Sequence, residues 1–321
     1  MNALKVIKPG IYSLLQDGGR FGQHRIGLTN GGPLDRCAFR WANLLCENEP
    51  NSACIEVTVG GLVLESTIAT TLALTGADIP LRINKQPAEL WQTQRIQPGD
   101  LIELGFARSG NRAYLAVGGG FKANPVFNSV ATVPREGLGG LNADGSALRN
   151  GDILPCDPTD LSTPTLWQLP KKLRADYSQH SAQLRVILGY QHRTAFSDAQ
   201  KQLFFSSEYS VSQSNDRMGY RLKGPPIKPS IEGIVSEGIS LGAIQFPADG
   251  QPIALLNDRQ TIGGYPKIGS LLSLDIGKLA QLSAGGTVRF EMLDLDQAQS
   301  LLVDNEKRFT NGLRKLIKTG N

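Results

Sequence analysis

Leu4-Lys5-Val6-Ile7 returns as Leu184-Arg185-Val186-Ile187, 180 residues further along the chain. Internal repetition governs architecture before local propensity does, and nearly the same spacing recurs at several later points. Asp35-Arg36 with Arg40 matches Asp216-Arg217 with Arg221 at 181 residues, and Glu56 before Gly61 and Val63 matches Glu237 before Gly242 and Ile244 at that same distance. The apolar runs Leu72-Ala73-Leu74 and Ile253-Ala254-Leu255 fall in register. Gln97-Pro98-Gly99-Asp100-Leu101-Ile102 then meets Ser283-Ala284-Gly285-Gly286-Thr287-Val288 at 186, after a five-residue insertion. Matches in constant order imply two copies of one β module, over about residues 4–107 and 184–293. Their short apolar runs, separated by Gly, Pro, Asp and Asn, have the length and alternation of strands. A closed or nearly closed barrel would cover the strand edges.

The totals agree with a mainly β protein. At 321 residues the chain exceeds what one core usually serves, and 36 Gly with 18 Pro punctuate it into short segments. The expected organisation is a first β-barrel half over 1–160, a linker over 161–183, a second half over 184–293 and an amphipathic helix over 294–321. In that helix Ala298, Leu301, Leu302, Phe309, Leu313 and Leu316 recur near a 3.6 period. A formal charge of +4 is small for this length and argues against a nucleic-acid partner. Without a signal-like N-terminus or a run of about 18 apolar residues, a cytoplasmic protein with no membrane partner is expected. The four cysteines show no CxxC pairing and the three histidines no clustering, so buried free thiols and no metal site are expected.

Chemistry concentrates in Asn257 to Ile268, NDRQTIGGYPKI, immediately after the apolar run Pro252 to Leu256. A buried strand that ends abruptly in Asn257, Asp258, Arg259 and Gln260 fits an opening onto a binding site. Gly263 and Gly264 allow positive φ or close approach, and Pro266 stiffens the exit toward Lys267. A polar turn of solvated charges is the alternative, although hairpin turns need only about two to five residues. In SNDRMGYRLKGP, Asp216, Arg217 and Arg221 gather near Tyr220; an Arg fork suits a carboxylate or phosphate, and an ion-pair clamp is the structural alternative. Asp17, Arg20, Gln23, His24 and Arg25 form another polar loop. The glycine runs Gly118 to Gly120 and Glu136 to Gly140 lack the GxxxxGK[ST] pattern and read as turns. With no GxSxG and no Cys–His pairing, catalysis would rest on carboxylates, Arg and Lys, the groups that polarise a carbonyl.

QDGGRFGQHRIGLTNGGPLDRCAFRWANLL, SNDRMGYRLKGP and AIQFPADGQPIALLNDRQTIGGYPKIG together resemble the biotin-dependent carboxyltransferase family, also called allophanate hydrolase subunit 2. The family includes stand-alone members, among them the C subunit of 5-oxoprolinase and an antagonist of the sporulation kinase inhibitor. The resemblance spans about Gly10 to Leu293 and implies two tandem cyclophilin-like β-barrel halves. It implies a subunit of an ATP-dependent 5-oxoprolinase that converts 5-oxoproline to glutamate, a lactam hydrolase inactive alone. The implied partners are an allophanate hydrolase subunit 1-like companion and a third 5-oxoprolinase subunit. The alternatives are carboxyl transfer from biotin to urea or a related amide, with the site between the halves, and a non-enzymatic antagonist of a kinase inhibitor. Its three Met residues have no Lys neighbour, so no biotin is expected on this chain. ATP is implied as a cofactor, bound here or shared with the partner. By motif the resemblance assigns Asp258, Arg259 and Lys267 to catalysis, and Asp216, Arg217, Gln260, Gly263, Gly264 and Tyr265 to substrate binding. Ile262 stands where many members have Thr, and Pro33-Leu34 where a small residue and Met are common.

Overall fold

The computed structural model describes residues 2–159, 161 and 165–319. The chain forms two compact units, one of Met1–Arg20, Gly31–Ser178 and Thr310–Asn321, the other of Phe21–Asn30 and Gln179–Phe309. The expected boundary at residue 160 and part of the expected linker, 162–164, lie outside the described residues. Of the remainder, 165–178 belong to the first unit and 179–183 to the second, where Ser181 opens a barrel strand. Leu166–Gln168 is a strand antiparallel to Ile317–Thr319, and Tyr177 donates its hydroxyl to Asp35 Oδ2 at 2.7 Å.

Both units are built from short strands, as the glycine and proline content led one to expect. In the first, one sheet runs in the order Ile153–Pro155, Ala3–Pro9, Leu62–Ser66, Leu101–Leu104, Leu81–Ile83, Gln86–Ala88. The other runs Tyr12–Gln16, Cys54–Thr58, Ser109–Val117, Thr70–Asp78, Thr93–Ile96. Register breaks between Val6 and Lys8 and between Ser109 and Ala113 bend the long strands. Leu4, Val6, Ile55, Val57, Leu72, Leu74, Leu115 and Val117 fill one continuous core. Helix Arg36–Leu45 is started by Asp35, whose Oδ1 accepts the Ala38 amide at 3.0 Å, and it buries Ala38, Phe39, Trp41, Ala42 and Leu45.

In the second unit the strands close completely. The barrel order is Ser181–Leu188, Lys267–Leu271, Ala243–Gln245, Ile253–Leu255, Gly219–Lys223, Glu208–Asn215 and Thr287–Leu293, which pairs back in parallel with Ser181–Leu188. Closure leaves the barrel itself no edge strand among the described residues. Helix Asp198–Ser206 begins at a capping box of Ser197 and Gln200, and its Phe204 stacks on Phe290 with ring centroids 4.4 Å apart. The predicted C-terminal helix covers Leu295–Leu313 and stops there; Gly312 disfavours further turns, and Ile317–Thr319 becomes a strand.

The two copies correspond where strands begin. Leu4 and Leu184, Val6 and Val186 are all buried at equivalent places in first strands. Gly99 and Gly285 both turn at φ near 90° (90° and 89°) just before a strand. Two of the expected pairs do not correspond. Asp35 caps a helix, whereas Asp216 turns a hairpin by accepting the Met218 and Gly219 amides at 2.7 and 3.1 Å. Glu56 is buried in a sheet strand, whereas Glu237 lies partly exposed in the two-residue strand Glu237–Gly238. Asp serves equally at a helix N-cap and in an Asx turn, so its spacing alone matched unlike structures.

Candidate functional site

Asn257 to Ile268 connects two barrel strands, Ile253–Leu255 and Lys267–Leu271. It is not a free polar turn. Ile262–Gly263 pairs with Glu237–Gly238, the Ile239 amide donates to Thr261 O at 2.9 Å, and the Ile234 amide donates to Gly264 O at 2.8 Å. This neighbour explains both glycines. A Cβ at Gly263 would lie 2.5 Å from Ile239 Cδ1, and one at Gly264 would lie 3.0 Å from Ile234 O. Close approach, not positive φ, is what the pair supplies.

Of the loop's charges, two are turned inward. Asp258 receives Arg217 Nε on Oδ2 at 2.8 Å and Arg217 Nη2 on Oδ1 at 2.9 Å, and both side chains are buried. The Asp258 amide also donates to Arg217 O at 2.9 Å, so backbone and side chain fix the same pair. Arg259 is 2% exposed and donates through Nε to Ile239 O at 3.0 Å and through Nη1 to Leu256 O at 3.3 Å. Burial lowers its guanidinium pKa to about 10. These groups hold the loop against the segment carrying Ile239, while Thr29 Oγ1 fastens Asn257 O at 2.8 Å. Asp216 is exposed and occupied by its own turn.

Lys267 is turned toward a different group. Its Nζ donates to Glu237 Oε1, and Tyr190 donates to Oε2 of the same carboxylate. Gln191 donates through Nε2 to Glu237 Oε1 at 2.8 Å and accepts the Lys267 amide at 2.8 Å. The hydrogen bonds from Lys267 and then Tyr190 hold the Glu237 carboxyl below its ordinary pKa. Gln260 Nε2 reaches Gln245 Oε1 at 3.5 Å, and Tyr265 is exposed. Lys267, Glu237, Tyr190 and Gln191 thus present a cation, a carboxylate, a hydroxyl and an amide together, on rigid barrel strands and the short segment beside them. Such a set can orient a polar ligand and polarise a carbonyl oxygen.

Sequence reasoning did not connect Tyr190, Gln191, Glu237 and Gln245 with the loop. Glu237 was visible only as a repeat match, and Gln245 only as part of AIQFPADG. The other polar loop proves to be a clamp. Arg20 is fully buried and donates to Val126 O at 2.9 Å, Ala131 O at 3.1 Å and Ser129 O at 3.4 Å. Asp17 accepts Gly19 N at 3.0 Å, Ser129 Oγ at 2.6 Å and Val130 N at 2.8 Å. The glycine runs are turns whose amides are engaged: Gly118 N with Thr71 O, Gly119 N with Asn48 Oδ1, Gly120 N with Val117 O, Gly137 N with Pro134 O and Gly140 N with Val130 O.

A family described as carboxyltransferase domain, subdomain A and B, matches residues 26–292. The C subunit of 5-oxoprolinase from Escherichia coli K12 is 34% identical over 309 residues, covering 95% of this chain and 96% of that protein. The protein of the same name from Haemophilus influenzae is 31% identical over 309 residues, covering 96% of each. In structure, the crystallised urea carboxylase of Kluyveromyces lactis aligns with a TM-score of 0.89 at 27% identity, over 97% of this chain and 29% of that one.

Proposed function

The chain belongs to the carboxyltransferase-domain family, and from that membership we propose that it is one subunit of an ATP-dependent 5-oxoprolinase. In this reading it works with an allophanate hydrolase subunit 1-like companion and a third subunit, opens the 5-oxoproline lactam to glutamate, and is inactive alone. The observation that carries it is end-to-end similarity to the C subunits of two 5-oxoprolinases, each covered over 96% of its length. Carboxyl transfer from biotin to urea is the second reading, favoured by the likeness to the K. lactis urea carboxylase; there, however, the chain accounts for only 29% of the larger protein.

Lys267 is the group we assign to the substrate oxygen. Glu237 holds its ammonium and Gln191 its backbone amide, while Tyr190 and Gln191 steady the Glu237 carboxylate, so that a fixed cation stands ready where negative charge develops on a carbonyl oxygen. Gln260 and Tyr265 complete the polar surroundings, and the close-packed Gly263 and Gly264 keep the loop against its neighbour. Asp258, Arg259 and Arg217 act through loop shape.

Among the described residues, ATP is not well served. The amides of Gly118, Gly119, Gly120, Gly137 and Gly140 are engaged within the protein, and the helices starting at Arg36, Asp198 and Leu295 are capped by Asp35, Ser197 and Asp294. Our reading therefore leaves the nucleotide to the companion proteins. Reconstituting the complex with and without this chain tests the whole proposal. Glutamate formation from 5-oxoproline and ATP should require it; an unchanged rate in its absence, or carboxylation of urea with a biotinylated carrier, would overturn the reading.

A further inference from the structure

We propose that the side-chain amide of Gln245 receives the carbonyl oxygen of the amide or lactam substrate beside Lys267. Gln245 ends the barrel strand Ala243–Gln245 and stands opposite Lys267 in the antiparallel ladder, so the two side chains share one face of the sheet. It is 1% exposed. Its Oε1 meets Gln260 Nε2 at 3.5 Å, and its Nε2 has no hydrogen-bond partner among the described residues. A buried amide donor without an acceptor is costly. Gln260 donates to its Oε1, so the Gln245 donor faces away from Gln260.

It faces the place where Gly263 lacks a side chain. A side chain there would crowd it, its Cβ 3.0 Å from Gln245 Nε2, so the glycine leaves that side of the donor uncovered. Ile239 Cδ1, 2.5 Å from the same point, is the apolar neighbour on that side. A neutral N–H donor suits an amide or lactam oxygen, and Lys267 supplies the charge as that oxygen becomes more negative. Gln245 is then a binding group and Lys267 the group that acts on the reacting oxygen.

The inference rests on the 5-oxoprolinase reading, and Gln245→Met tests it because the change keeps length and removes the donor. In the assembled complex, KM for 5-oxoproline should rise about tenfold or more, the scale of one neutral hydrogen bond, while the melting temperature of the chain stays level or rises. A lower melting temperature with unchanged KM would show a packing role and overturn the assignment. Should the wild-type complex turn over no 5-oxoproline, the function reading fails, and Gln245 is judged by calorimetric titration with urea. Weaker binding by Gln245→Met upholds the assignment; equal binding, or none by the wild type, overturns it.

Discussion

Arg217 and Asp258 meet as a two-point pair, 2.8 and 2.9 Å, with side chains 6% and 3% exposed. Removing one member strands a buried charge, which typically costs about 3–5 kcal/mol. Asp258→Ala should therefore lower the melting temperature strongly, and Arg217→Ala should do the same. The double variant should lose much less than the sum, because the two share one interaction. A thermal unfolding series on the four proteins checks this; additive losses would show that the pair is not the unit of stability.

Arg20 and Asp17 both hold residues 126–131, one through carbonyls and the other through an amide and a hydroxyl. Arg20→Met leaves those carbonyls without their donor, at about 1–3 kcal/mol for each buried group stranded. The variant should unfold earlier in urea, and limited proteolysis should cut first within 126–131. Unchanged stability would return this loop to consideration as a functional site.

Acid sensitivity should be traceable to Asp275. Burial raises its carboxyl pKa, but hydrogen bonds from Arg185 (2.8 and 2.6 Å) and Lys278 (2.8 Å) outweigh burial and hold it below the ordinary value. A carboxyl lowered by folding stabilises above its unfolded pKa, about 4, and that contribution is lost as pH falls through the folded value. Asp275→Asn should consequently be clearly less stable than wild type at pH 6, with the gap narrowing below about pH 4. A gap of constant size across that range would contradict the assignment.

The sequence revealed strand-rich units and singled out Asn257 to Ile268 because both are local signals: alternation, turn residues, and an apolar run breaking into charge. The partners of that loop were hidden by distance along the chain. Glu237 lies 30 residues before Lys267, Tyr190 lies 77 before it, and no spacing rule links a barrel strand to the segment that folds beside it. The direction of a charge was equally hidden. Asp258 and Lys267 look alike as loop charges, yet one is 2% exposed within an ion pair and the other reaches toward a half-exposed carboxylate. Asp35 and Asp216 matched in spacing because Asp satisfies backbone amides in both caps and turns.

Lys267, in the function proposed above, serves the reaction of an assembled amide-opening complex. The direct test is the rate of ATP-dependent glutamate release from 5-oxoproline by complexes carrying wild-type chain or Lys267→Ala, with melting temperature and co-purification of the partners followed on the same preparations. Glu237 keeps Tyr190 and Gln191 as donors when Lys267 is lost, so stability should change by about 1 kcal/mol or less. Turnover should fall about 10² to 10³-fold, as when one preorganised donor is removed from a developing oxyanion. Normal turnover by a Lys267→Ala complex, whatever its stability, would contradict that role.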